Sequence, residues 1–266
     1  MTKQTFDAKN YWEKRLQGDY DLHGVGLIEW GEAFNRVLYR LRRVLFLRLL
    51  RAQRASWAQA EVLDIGSGTG FYLERWQELG AADIHGMDLT EVAVANLQQK
   101  FPDMDIHCGD IGQAPLAGMH EKLDAVSCMD VVFHIVDDDA YQRAFKHIAE
   151  MLKPGGLFVF SDSWLKGETV RGVHIVHRSR SEVQATLASA GFELLEVVPM
   201  FVLMNAPVDS QSRLLKAWWW SLYQISARSH VLGGLIAQVL SPIERLLLML
   251  ARHDGPTTKV MVCRKR

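Results

Sequence analysis

Cysteine is scarce: Cys108, Cys128 and Cys263 are the only three in 266 residues, and no Cys-x-x-Cys spacing offers a metal site or a disulfide framework. That excludes a small cross-linked secreted scaffold and points to a reducing, cytoplasmic setting. An excess of charge of either sign is missing as well. Thirty Lys and Arg face thirty-one Asp and Glu, for a formal net charge of −1, so bulk electrostatics gives no reason to expect nucleic acid, although local clusters can hide in such a balance. The opening "MTKQTFDAKNYWEKR" has no apolar core followed by small residues, the mark of a secretory leader. A clean membrane-length apolar run is also lacking: Val231 to Ala251 is long enough but carries Pro242, Glu244 and Arg245 near its middle, and is not read as a span. Internal repeats and low-complexity linkers are absent.

What is present is a chain with 48% hydrophobic residues, enough for one large domain with a full core and an added subdomain. From residue 61 onward, short apolar runs alternate with longer helical patterns, the signature of an α/β fold with a parallel sheet covered on both faces. Strands are expected near 61–65, 83–87, 104–107, 123–128, 157–161, 192–198 and 258–263, with helices over 70–79, 90–100, 138–152 and 179–190. Lys153-Pro154-Gly155-Gly156 should end the helix before it and turn the chain into "LFVFSD". Two pieces fall outside this alternation. Residues 1–57 read as a helical lid or cap, with Phe34, Val37, Leu38, Leu41, Val44, Leu45 and Leu49 at helical spacing. Residues 200–255 form a leucine- and tryptophan-rich helical insert between the core at 58–199 and a last strand at 256–266, far longer than a hairpin needs.

In "VLDIGSGTG" the glycines Gly66, Gly68 and Gly70 allow a sharp strand-to-helix turn and a close backbone approach to a ligand. The dinucleotide fingerprint G-x-G-x-x-G would need glycine at 71, where the chain has Phe71. Asp64 beside the turn also disfavours a pyrophosphate, because two anionic groups would meet, and suits an ammonium instead.

"VLDIGSGTG", "HGMDLT", "CGDI" and "LKPGGLFVFSD", in this order and spacing, resemble the class I S-adenosylmethionine-dependent methyltransferases over residues 61 to 198, with "TTKVMVCRKR" fitting that family's last strand. The resemblance implies a seven-stranded Rossmann-like sheet with an antiparallel last strand, and S-adenosylmethionine as cofactor. It implies that Ser67 joins Gly66, Gly68 and Gly70 in the cofactor turn and that Asp64 serves the methionine ammonium. Asp88, with Leu89, would take the ribose, Asp110 and Ile111 the adenine, and Met129 and Asp130 would close the fourth strand beside the ligand. Taken singly, Asp88 also suits a helix cap, Asp110 a plain turn and Asp130 a solvated helix start. "NYWEKRLQGD" is similar to a segment that lies over the cofactor in small-molecule members, which would bring Tyr11 and Trp12 to the sulfonium or the acceptor; the alternative is plain hydrophobic docking.

Methyl transfer is an in-line displacement helped chiefly by alignment and a dry pocket, and a hydroxyl acceptor also invites a base. His134, just past the fourth strand, is the first candidate, and His23, in a glycine-bearing segment that could fold over the site, is the second. A packed or loop histidine is the alternative for each. His174 and His177 lack an acidic or cysteine partner at ligand spacing, so no metal is expected; "RSRSEV" after them reads as the start of a capped helix. The expected acceptor is an apolar or aromatic small molecule, O-methylated and chosen by the two helical additions, whose other reading is a self-packed subdomain or a homodimer interface. Arg36, Arg40, Arg43, Arg51 and Arg54 fall near one helical stripe, which keeps open a peripheral membrane contact and a lipid-like acceptor. A non-catalytic cofactor-binding protein is the rival from outside enzymology. Base methylation is disfavoured, since "MDVVFHI" follows the fourth strand where an Asn-Pro-Pro-Tyr type motif would stand.

Overall fold

The computed structural model describes residues 6–22, 24–251 and 255–266. Runs such as "EVLDI" and "LDAVSC", apolar on successive residues, form strands covered on both faces. They are β1 (Glu61–Ile65), β2 (Asp83–Asp88), β3 (Asp105–Cys108), β4 (Leu123–Cys128), β5 (Leu152–Asp162), β6 (Phe192–Pro199) and β7 (Lys259–Lys265). The sheet order is β3-β2-β1-β4-β5-β7-β6. The first five strands pair in parallel and β7 runs antiparallel to both β5 and β6, as expected of the last strand.

Eight α-helices are described: α1 (Ala8–Gly18), α2 (Gly31–Gln53), α3 (Phe71–Leu79), α4 (Glu91–Lys100), α5 (Asp138–Met151), α6 (Arg180–Ser189), α7 (Arg213–Arg228) and α8 (His230–Leu250). Side-chain oxygens start several of them: Thr90 for α4, Asp137 for α5 and Ser179, in "RSRSEV", for α6. One boundary differs from expectation. Strand β5 already pairs at Leu152, opposite Leu123, but its next partner pair is Ala125 with Leu157. Lys153-Pro154-Gly155-Gly156 is therefore a bulge inside the strand, with Gly155 at φ +79.

The core lies on both sides of the sheet. Helices α5 and α6 cover one face through Tyr141, Phe145, Ile148, Val183 and Leu187. The other face is covered by α2 and α3, with Phe34, Leu38, Phe46 and Trp76 among the buried residues, joined by Phe201, Met204 and Leu222 from the insert. The expected apolar stripe of α2 is the buried one, with only Val44 half-buried. Its arginines divide: Arg36 pairs with Glu32 at 2.6 Å, Arg43 with Glu78 and Arg54 with Asp124 at 3.0 Å, while Arg40 and Arg51 are exposed with no carboxylate partner among the described residues. Helix α8 is long and apolar enough to cross a membrane by length and composition. One side of it nevertheless packs on α2, where Gly234 meets Ala33, and its buried Glu244 accepts hydrogen bonds from the Val202 and Leu203 amides.

Candidate functional site

Parallel strands end together, so the turns after β1, β2, β3 and β4 meet at one edge of the sheet. There they enclose a cavity of about 440 Å³. Eleven of the residues expected from sequence line it: Trp12, Gly66, Ser67, Gly68, Asp88, Leu89, Asp110, Ile111, Met129, Asp130 and His134. Tyr11, Asp64 and Gly70 do not reach its wall. His23 lies outside the described residues.

The glycine turn is shaped for closeness. Gly66, Gly68 and Gly70 have φ of +71, +52 and +84, and a Cβ on Gly66 would come within 2.2 Å of Val131 Cγ2. Its amides, however, are largely occupied. Gly66 and Ser67 donate to the Met87 carbonyl (2.7 and 3.1 Å), Gly70 to Ser67 O (2.7 Å), and Gly68 to Asp88 Oδ2 (2.8 Å). Those four amides are therefore taken, and a ligand that donates would meet acceptors beside the turn.

Asp64 is the clearest of these. Its side chain is buried beneath the turn, Oδ1 accepts from Ser127 Oγ at 2.5 Å, and Ser127 in turn accepts from Trp76 Nε1 at 2.9 Å. Oδ2 is buried with no hydrogen-bond partner. Burial pushes the carboxyl up to about 7, against the opposing pull of the Ser127 and Ser67 hydrogen bonds. A cation brought against Oδ2 would relieve an uncompensated buried charge.

Asp88 realises both of its sequence readings. Oδ1 accepts from the Thr90 amide (2.9 Å) and hydroxyl (2.8 Å), bracing the turn into α4, while Oδ2 takes the Gly68 amide. With three bonds made, the carboxylate keeps its remaining acceptor site on Oδ2. Asp110 caps its own turn through the Gly112 amide (2.8 Å). Asp130 stands just past β4 with φ +60, held by Ser161 and by an ion pair to Arg42 of α2.

Arg42 was not singled out from sequence. Its guanidinium lies 5.0 Å from the Tyr39 ring centre and 5.6 Å from that of Phe201. A usable signal existed: position 42 falls four residues from Leu38 and three from Leu45, a charge set into the apolar stripe of α2. Tyr20, which bonds the Gly68 carbonyl at 2.8 Å, and Tyr39 of the wall were missed too, for want of any local pattern, as was Tyr72, which follows the glycine turn directly.

The aromatic side of the cavity comes partly from outside the core segment, where Trp12 and Tyr39 join Phe71 and Tyr72 of α3. Trp12 of α1 meets His134 edge-on at 5.1 Å, and Tyr39 meets Phe71 at 4.8 Å. His134 Nδ1 lies 2.9 Å from the His174 carbonyl, so that nitrogen carries the proton and Nε2 keeps the lone pair. Burial brings the ring down to about 4. His174 is engaged through this carbonyl and by stacking on Tyr11 (5.7 Å), and His177 Nδ1 bonds Ser163 Oγ at 2.7 Å.

Residues 62–156 match the family model described as a methyltransferase domain. The chain is 36% identical over 112 residues to the ubiquinone biosynthesis O-methyltransferase of Pseudomonas entomophila, covering 41% of this chain and 47% of that protein. It is 31% identical over 171 residues to the protein of the same name from Brucella anthropi, covering 57% and 66%. The chain thus spans about half to two thirds of the length of these relatives. Among solved structures, the magnesium protoporphyrin IX methyltransferase of Synechocystis PCC 6803 with bound SAM aligns over 100% of both chains, with a TM-score of 0.59 and 14% identity, a likeness of fold.

Proposed function

Because the chain belongs to the class I S-adenosylmethionine-dependent methyltransferases, we propose that it transfers a methyl group from S-adenosylmethionine to a hydroxyl of an apolar or aromatic small molecule. One observation carries this reading: the glycine turn, Asp88 and Asp110 share a single cavity with a wall of Trp12, Tyr39, Phe71 and Tyr72. The acidic and glycine side suits the cofactor and the aromatic side an acceptor ring. The relatives named for O-methylation in ubiquinone biosynthesis agree with an oxygen acceptor.

Bound there, S-adenosylmethionine would supply a sulfonium-activated methyl group. Asp64, directly or through a water, would hold its ammonium, Asp88 Oδ2 one ribose hydroxyl, and Asp110 with Ile111 the adenine edge. Trp12 and Leu16 of α1 close the cavity against water, and Tyr39, Tyr72 and the Arg42–Asp130 pair fix the acceptor side. His134, neutral near pH 7, offers Nε2 as a hydrogen-bond acceptor that orients the acceptor hydroxyl; as a base it is weak. We take the N-terminal segment and the 200–255 insert as the parts that choose the acceptor. The test is incubation with methyl-labelled cofactor and a metabolite extract, followed by mass detection. One compound should gain a methyl group with wild type and none with Asp88→Ala, whereas cofactor binding without any labelled product would favour the non-catalytic alternative.

A second reading concerns where the acceptor comes from. Val231, Leu235, Val239, Ile243, Leu246 and Met249 recur along one side of α8 and are 48% to 73% exposed. Beside them a groove between α2 and α8, of about 390 Å³, is lined by Arg48, Arg51, Arg245 and Met249. An apolar stripe rimmed by arginines suits an anionic bilayer surface, and a lipid-like acceptor would follow. Sedimentation with phosphatidylglycerol vesicles should be strong and fall with Leu235→Glu/Leu246→Glu; a salt-resistant dimer without vesicle binding would assign the face to a second copy instead.

A further inference from the structure

Away from the cavity, strands β2 and β3 bring three ligand-type side chains to one face. His85 is the register partner of Asp105, and His107 stands two residues beyond Asp105, on the same side of the pleat. One donor atom from each lies within 4.8 Å of the others.

The protonation pattern is already determined on one side. His85 Nε2 is 3.0 Å from Glu61 Oε1, and that carboxylate is held in turn by Lys122 Nζ at 2.8 Å. Glu61 can only accept, so Nε2 carries a hydrogen, and in the neutral ring Nδ1 is the nitrogen with the lone pair. That Nδ1 is buried with no hydrogen-bond partner, in a residue only 8% exposed. It lies 3.6 Å from Asp105 Oδ2. His107 Nε2 lies 3.1 Å from the same oxygen, and it too is buried without a hydrogen bond. Two imidazole nitrogens therefore converge on one carboxylate oxygen, one too far and one misdirected for a hydrogen bond.

The spacing suits a shared cation. A tetrahedral ion with bonds of about 2.0–2.1 Å holds its ligand atoms about 3.3 Å apart, and 3.6 and 3.1 Å lie on either side of that edge. The Glu61–His85 contact has the form of the outer carboxylate that fixes a ligating histidine's tautomer. Asp105, whose side chain is 62% exposed, leaves the fourth position open to water. Nitrogen and oxygen donors in this ratio favour Zn²⁺ over Mg²⁺ or Ca²⁺.

We propose that His85 Nδ1, His107 Nε2 and Asp105 Oδ2 form a zinc-binding site that ties edge strand β3 to β2. The site is distinct from the methyl-transfer cavity, and it braces the strand whose end runs on into Gly109 and Asp110 of that cavity. The test uses untagged, chelator-treated protein without cofactor, titrated with ZnCl₂ by calorimetry and with CoCl₂ by visible absorption. One equivalent should bind, Co²⁺ should show the ligand-field bands of a four-coordinate nitrogen and oxygen site, and Zn²⁺ at about 100 times its dissociation constant should raise Tm by about 5 °C or more. His107→Gln, at a half-buried position, and Asp105→Asn should each weaken Zn²⁺ at least tenfold and, at the same Zn²⁺ concentration, cut the Tm shift to about half or less. His174→Ala should leave both unchanged. Absence of stoichiometric binding, or equal binding by wild type, His107→Gln and Asp105→Asn, overturns the proposal.

Discussion

Asp64→Asn separates the charge of the buried carboxyl from its shape. In the free protein burial raises this group from 3.8 to about 7, so between those values the folded state holds a proton that the unfolded chain has released. Folding stability attributable to Asp64 therefore falls as pH rises through the window, by up to about 1.4 kcal/mol per pH unit and about 2–3 kcal/mol between pH 5 and 7. Asp162, held up to about 6 by burial, contributes with the same sign but is present in both proteins, so the difference between wild type and Asp64→Asn isolates Asp64. Ligand binding should run the other way. An ammonium prefers the ionised carboxylate, so S-adenosylmethionine affinity should weaken up to tenfold for each pH unit below about 7. In Asp64→Asn that dependence should vanish, and the loss of a charge-assisted hydrogen bond should cost about 10- to 100-fold in Kd at pH 7.5. Calorimetry from pH 5.5 to 7.5, over which an α-amino group of pKa about 7.7–8.0 stays more than half protonated, combined with urea unfolding at the same pH values, reads both effects. A wild-type affinity that is flat over this range, or equal to that of a folded Asp64→Asn, refutes the assignment of Asp64 to the ammonium.

His134 should leave no mark on the pH–rate profile near 6.5, because burial keeps its ring neutral well below that; His134→Gln, which keeps an acceptor, should retain more kcat than His134→Ala, and equal rates for the two would make the ring a packing element. Arg42→Met should lower stability by about 2 kcal/mol in urea unfolding by leaving the part-buried Asp130 unpaired, and should raise the acceptor KM more than the cofactor Kd. If it moves the cofactor Kd alone, Arg42 belongs to the cofactor side.

The sheet was legible because its residues alternate between two local periodicities, and because the glycine turn, Asp64, Asp88 and Asp110 stand at or beside strand ends. The same features located ten of the eleven cavity residues, since parallel topology collects strand ends without any further information; Trp12 of α1 came from its N-terminal segment instead. Tyr72, two residues past Gly70, reaches the cavity locally; Arg42, Tyr20 and Tyr39 were not legible for the opposite reason. Each reaches the cavity or its glycine turn through long-range packing: Arg42 acts across 88 residues of chain and Tyr20 across 48, and no local pattern encodes such pairings. The Lys-Pro-Gly-Gly turn was legible as a turn but not as a bulge, because strand pairing on either side of it is set by β4. His85, Asp105 and His107 were likewise invisible until the register of β2 on β3 brought them to one face.

Helix α2 joins these separate observations into one argument about acceptor choice. Its inner stripe is core, packed on the same sheet face as Trp76. On that helix Arg42 and Tyr39 line the cavity, while Arg36, Arg40 and Arg43 line a neighbouring groove together with Gln238 of α8. Tyr39 and Phe71 line both spaces and stand edge-on to each other, so a change in the tilt of α2 or α8 would act on the acceptor wall and on the groove together. The cofactor side is anchored differently, by backbone bonds from the glycine turn to Met87 and Asp88 that do not involve α2. Substitutions along the α2–α8 contact, such as Gly234→Ala against Ala33, should therefore move acceptor KM while leaving cofactor Kd in place, a separation that a cavity built wholly from the sheet edge could not produce.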